Sequence, residues 1–310
     1  MTHTALRLRD DSHRSGKFRA IAKRRLVLDV ADSFRTLASG GALHVDGPPD
    51  APAVLFLHGV GGGAWSWRPQ RDALAATHRT FVWEARGHGA AAAVDDAGLA
   101  DYFNDAEEGL AAATGEANAP VVIAAHSMGG LLAFALARKY AASVRALFLV
   151  DPVYATGDEA YGHFSPRTGA IARFLCAPLL RSFERDGMLS RLVARWVFAR
   201  AFEDRARMET AWQQQRRQVP FEYPRMLNES FGRPEGFELS DFAREIVAPT
   251  ALIEGSPVPG RARFPALVNT LRERLGPNFR HEIVAGGHYL QLDRPAEINA
   301  LLAQFLARYG

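Results

Sequence analysis

Cysteine is nearly absent: one residue, Cys176, stands among 310. A single thiol cannot close an intrachain disulfide, so folding needs no oxidising compartment. Cys176 is expected as a small buried apolar side chain. Lysine is scarce as well, with only Lys17, Lys23 and Lys139 against a large excess of arginine. Charge of one sign is also lacking, because 37 Lys and Arg face 34 Asp and Glu for a formal net charge of +3. So small and dispersed a surplus argues against a nucleic-acid partner. The first 25 residues carry eight Arg or Lys but no apolar stretch of signal-peptide length. Nowhere do 18 apolar residues run together, so no membrane span is expected and a cytoplasmic protein is the default. No lysine follows a glycine-rich loop as phosphate binding requires, and no H-E-x-x-H spacing occurs; neither cofactor nor metal is expected.

What is present is enough apolar residue, 48% of the chain, to bury a full core. Short apolar runs at Ala53–Leu57, Thr80–Trp83, Val121–Ala124, Ala146–Val150, Thr250–Ile253 and His281–Val284 alternate with helical patterns, the rhythm of a parallel sheet. Before them Arg25–Val30, Phe34–Leu37 and Ala42–Val45, separated by glycine- and proline-rich turns, predict antiparallel lead-in strands. From Pro152 to about Asp241 the pattern is wholly helical, with stripes at Leu175, Leu179, Leu180 and Phe183, then Leu189, Leu192, Val193, Trp196 and Val197, expected as packing faces. The predicted class is α/β: a mostly parallel central sheet flanked by helices, with an inserted helical cap. Residues 1–22 read as a basic flexible tail, 23–151 as the first part of the core, 152–240 as the cap and 241–310 as the second part of the core.

The segment Ala124-Ala125-His126-Ser127-Met128-Gly129-Gly130 joins a strand-like run to a helical one. A serine on such a turn stands clear of packing, beside the first free N–H groups of a helix, and is a candidate nucleophile. A serine N-cap fits the same position. A serine hydroxyl needs a base, and His288, after Gly286-Gly287 at the end of the last strand, is the candidate. The loop His58-Gly59-Val60-Gly61-Gly62-Gly63-Ala64 lets backbone N–H groups approach a ligand, and Val60 and Met128 are the candidate oxyanion donors. The same loop matches G-x-G-x-x-A, and Glu84 follows about twenty residues on, so a dinucleotide fingerprint is the rival reading.

Together the His58-Gly59 loop, the Glu84-Ala85-Arg86-Gly87-His88-Gly89 turn, the Ser127 turn and the ending Gly287-His288-Tyr289-Leu290-Gln291-Leu292-Asp293-Arg294-Pro295 resemble the α/β-hydrolase superfamily, over roughly residues 26–310. The resemblance implies a capped, esterase- or lipase-like serine hydrolase. In it Ser127 is nucleophile, His288 general base and then acid, and Val60 and Met128 the oxyanion hole. The implied partner is a small-molecule acyl substrate; oligomeric state is left open. Two departures stand out. Ala125 replaces the usual glycine of the turn, and the segment Thr250–Gly260 lacks the aspartate that many members carry after the seventh strand. Some members carry that acid after the preceding strand, which points to Asp151, with Glu254 as the substitute. A lyase or cyclase and a catalytically silent binder are the alternative activities on such a fold.

Overall fold

The computed structural model describes residues 34–91, 97, 99–153, 195–196, 198–199, 201–218, 239–256 and 264–310. The tail at 1–22, the expected strand at 25–30, Cys176 and the stripes from Leu175 to Val193, with Val197, lie outside the described residues.

Eight strands form one sheet: β1 Phe34–Thr36, β2 Ala42–Asp46, β3 Ala53–Leu57, β4 Arg79–Glu84, β5 Val121–His126, β6 Val144–Val150, β7 Thr250–Ser256 and β8 Phe279–Ala285. Their spatial order is β1-β2-β4-β3-β5-β6-β7-β8. β1 pairs antiparallel with β2, and β2 with β4, as the glycine-punctuated start predicts; every later pairing is parallel. The central strands read as unbroken apolar runs because helices cover both faces. Alternate residues go to opposite sides. Leu55, Leu57, Ile123, Leu147, Leu149 and Leu252 join one core layer, whereas Val54, Phe56, Val122, Phe148, Val150 and Ile253 join the other.

The flanking helices are α1 Arg68–Leu74, α2 Leu99–Ala117, α3 Met128–Lys139, α4 Arg205–Gln218, α5 Leu239–Ala243, α6 Pro265–Leu275, α7 Leu290–Asp293 and α8 Pro295–Tyr309. α2 buries Tyr102, Ala106, Leu110 and Ala113 at helical spacing, and α8 starts on a proline and buries Ile298, Leu302, Phe305 and Leu306. Within 152–240 the described residues form α4 and short helical pieces, with no strand among them. Trp196, expected on a packing face, is instead 57% exposed, and Phe198 is the buried aromatic there. Two positions along a helix turn a side chain through about 200°, so the face that meets the core carries Phe198 and not Trp196.

Chain order reverses at β3: β4 lies on one side of it and β5 on the other. The loops leaving the carboxyl ends of β3 and β5 therefore diverge and open a crevice, the place where open α/β sheets bind ligands. Phe148 is fully buried in β6 with its ring 5.7 Å from that of Phe305. Phe148→Ala should cost about 3–5 kcal/mol, read as a lower urea midpoint at unchanged slope.

Candidate active site

β5 ends at His126 and α3 begins at Met128, so Ser127 alone turns the chain. Its backbone sits at φ 54, ψ −120, a conformation that residues with a side chain rarely adopt. Neighbouring backbone holds it there: the Ser127 carbonyl accepts from the N–H groups of Gly130 at 2.9 Å and Val153 at 3.0 Å. The hydroxyl makes no capping bond to α3, which removes the N-cap reading. Ser127 Oγ lies 2.9 Å from His288 Nε2 instead.

His288 follows β8, three strand spacings and about 14 Å of sheet away from β5. Its loop reaches back by crossing β7 at Gly255, where an added Cβ would come within 2.4 Å of the Gly287 carbonyl oxygen. His288 Nδ1 lies 2.5 Å from Asp151 Oδ2. A carboxylate only accepts, so Nδ1 carries the proton and Nε2 is left with a lone pair for the Ser127 hydroxyl. Asp151 directly follows β6, is 1% exposed, and accepts the Gly255 N–H on Oδ1 at 3.1 Å. The substitute acid, Glu254, is buried within β7 with Oε1 3.6 Å from His281 Nε2. It shares the sheet face of Leu252, below the strand ends.

The loop after β3 passes so close to the serine that a Cβ on Gly59 would stand 2.7 Å from Ser127 Cβ. Gly62 N–H donates to Gly59 O at 2.9 Å and closes a turn with Gly61 at φ 71. No described residue accepts from the Val60 N–H. Met128 is the first residue of α3, so its N–H has no acceptor within the helix. One backbone donor without a described acceptor thus lies on the loop that passes Ser127, and another directly follows Ser127 in the chain. Glu84, the acid that the dinucleotide reading needs free, is 2% exposed and already accepts from Ala64 N, Ala90 N and His44 Nε2.

Residues 198–199 and 201–212 pack on the histidine side. Phe198, Phe202, Met208 and Trp212 pack with Tyr289 and the partly buried Trp65, and Tyr289 stacks on Phe202 at 4.9 Å. Tyr289 N–H donates to Ala201 O at 3.1 Å. Asp293 accepts the N–H groups of Glu203 at 2.8 Å, Asp204 at 3.3 Å and Gly287 at 3.4 Å, tying this segment to the His288 loop. Burial raises the Asp293 carboxyl above the usual range despite those donors, with Glu203 adding repulsion. The sequence marks Asp293 only as part of a C-terminal string; its use appears once 203–204 and 287 come together.

The sequence pattern of the "Alpha/beta hydrolase family" matches residues 54–301. A protein named "Putative carbamate hydrolase RutD" from Variovorax paradoxus is 29% identical over 273 residues, 85% of this chain and 95% of its own. Among solved structures, the enol-lactonase from Burkholderia xenovorans superposes with a TM-score of 0.67 at 21% identity, covering 89% of this chain and all of its own. A thermophilic esterase from Thermogutta terrifontis superposes with a TM-score of 0.69 at 20% identity, covering 89% and 98%. The chain belongs to the α/β hydrolase family.

Three further histidines are fully buried at this edge: His58, His88 and His126. Burial is the largest influence on each and lowers its pKa, to about 3 for His88 and well below the usual value for His126, where the neighbouring His288 adds to the effect. All three are neutral in the fold and would take a proton near pH 6.5 in the unfolded chain. Their contribution is therefore intact above pH ~6.5 and is lost as pH falls below it, by about 1.4 kcal/mol per histidine per pH unit until the folded pKa is reached. Carboxylates titrate mostly lower. Urea midpoints at pH 8.5, 7.5 and 5.5 should be nearly level between the first two and drop steeply at the third; a level series throughout would contradict neutral burial.

Proposed function

We propose that the protein is a cofactor-independent serine hydrolase of carboxylesterase type, cleaving an ester, thioester or lactone of a small hydrophobic substrate through an acyl-enzyme. One observation carries this reading: the continuous line from Ser127 Oγ to His288 Nε2 at 2.9 Å and from His288 Nδ1 to Asp151 Oδ2 at 2.5 Å.

Ser127 Oγ attacks the acyl carbonyl carbon while His288 Nε2 takes the hydroxyl proton. Asp151, accepting from Nδ1, holds the ring in the tautomer that can do this and stabilises the imidazolium that results. The carbonyl oxygen becomes an oxyanion between the Val60 and Met128 N–H groups at the positive end of α3. Collapse breaks the bond to the leaving group, which departs with the proton from Nε2. Water, losing a proton to the same nitrogen, then attacks the acyl-serine; the bond to Ser127 Oγ breaks as Nε2 returns the proton to that oxygen, and the acid is released. Trp65, Tyr289, Phe198 and Phe202 offer an apolar wall for the acyl side. A carbamate presents the same kind of carbonyl, and the similarity to the Variovorax protein puts carbamates in the substrate screen beside esters and lactones.

A fluorophosphonate probe tests the reading without presuming a substrate. Intact mass should show one adduct on the wild type and none on folded Ser127→Ala. Asp151→Asn should keep the fold and slow ester turnover by roughly 10⁴, as expected when the base is held in the wrong tautomer. No adduct on folded wild type would sink the proposal and turn attention to lyase and ligand-binding assays.

A further inference from the structure

The loop that carries Val60 is gripped from behind by side chains that no step above uses. A peptide unit is planar, so fixing its carbonyl also fixes the direction of the N–H on its other side. The Gly59 carbonyl, in one plane with the Val60 N–H, accepts from His58 Nδ1 at 2.7 Å and from Gly62 N at 2.9 Å. The next plane, Val60 carbonyl with Gly61 N–H, is fixed on its other side: Gly61 N–H donates to His88 Nε2 at 3.2 Å. Because Nε2 must accept, His88 carries its proton on Nδ1, which donates to Arg86 O at 3.1 Å. Farther on, Ala64 N–H donates to Glu84 Oε1 at 2.7 Å. Glu84 Oε2 is held in turn by Ala90 N at 2.8 Å and His44 Nε2 at 2.9 Å.

We propose that His88 and Glu84 are positioning residues that lock the backbone on the far side of Val60, so that its N–H points at the developing oxyanion. This rests on the hydrolase reading above. Neither side chain touches substrate: His88 is fully buried and Glu84 is 2% exposed. Each acts through a loop amide. A neutral histidine suits the task, since an imidazolium has no lone pair to accept the Gly61 N–H. The burial that holds His88 neutral down to about pH 3 keeps that acceptor in place. Preorganisation of this kind matters because a donor that must swing into place during reaction loses much of its effect. Glu84 ends β4, the strand beside β3, and His88 lies in the turn that follows it, so this strand end and turn serve as a fixed backing plate for the loop.

The test compares His88→Leu and His88→Asn, neither of which can reach the Gly61 N–H as an acceptor, with His88→Gln, whose side-chain oxygen can. With p-nitrophenyl butyrate, the two deletions should lower kcat by about 10- to 100-fold, less than removal of a whole oxyanion donor, with KM within about threefold. Inhibition by phenylboronic acid, whose tetrahedral adduct places an oxygen in the hole, should weaken by a similar factor. His88→Gln should recover most of both. Hydrogen exchange over residues 58–65 should speed up in the deletions and be restored in the glutamine variant. Folded deletions with wild-type kcat and wild-type exchange overturn the proposal, as does a loss that appears in KM alone or that glutamine fails to recover. If the wild type neither turns over the ester nor binds the boronate, the hydrolase reading fails; exchange in the loop then decides by itself whether His88 holds it.

Discussion

Ser127 keeps a backbone conformation that costs roughly 1–3 kcal/mol, and much of the site depends on how its surroundings hold it there. Asp151, at φ 42, shares the positive-φ backbone, and the two are tied together through their neighbours. Ser127 N–H donates to Val150 O at 3.3 Å, Val153 N–H donates back to Ser127 O at 3.0 Å, and Asp151 N–H donates to Ile253 O at 2.8 Å. In effect the parallel ladder runs one step past the ends of β5 and β6. That extra step carries the Ser127 hydroxyl and the buried Asp151 carboxylate on one rigid edge.

His288 has to reach this edge from β8. The crossing is possible because β7 has no side chain at its penultimate residue, Gly255, and it is stabilised because Asp293, Tyr289 and the 201–204 backbone clasp the loop from the other side. The imidazole is thereby fixed between a carboxylate and a hydroxyl rather than left to sample rotamers. The clasp also brings Phe198 and Phe202 against Tyr289, so one set of contacts orients the ring and lines its flank with aromatic surface.

The other polar groups at the carboxyl edge serve as structure. His58, His88, His126 and Glu84 lie in an apolar setting where an unpaired group costs more than a paired one gains, and each has at least one partner on a loop backbone. His126 Nε2–H donates to the His288 carbonyl at 2.9 Å, linking the serine turn to the histidine loop. Neutral imidazoles suit His58 and His88 because each uses one nitrogen as donor to a backbone C=O and the other as acceptor from a backbone N–H.

Much of this was legible in the chain itself. Unbroken apolar runs announce strands covered on both faces, the glycines around 59–63 announce close approach of backbone, and a serine between strand and helix announces a tight turn at a strand end; all are local properties of period, size and turn chemistry. Other points were not local. The Gly59–Ala64 loop fits a dinucleotide fingerprint as well as an anion-binding turn until Glu84 is found with its oxygens already bonded. The helical stripe puts Trp196 on the packing face, whereas Phe198, outside that stripe, is the one buried against Phe202, Trp212 and Tyr289. Asp151 and Glu254 both follow apolar runs, yet only Asp151 meets His288, a residue 137 positions away. That choice depends on the β5-β6-β7-β8 order and on which strand ends at the loop and which points its acid down a sheet face, and neither is written in the spacing of residues along the chain.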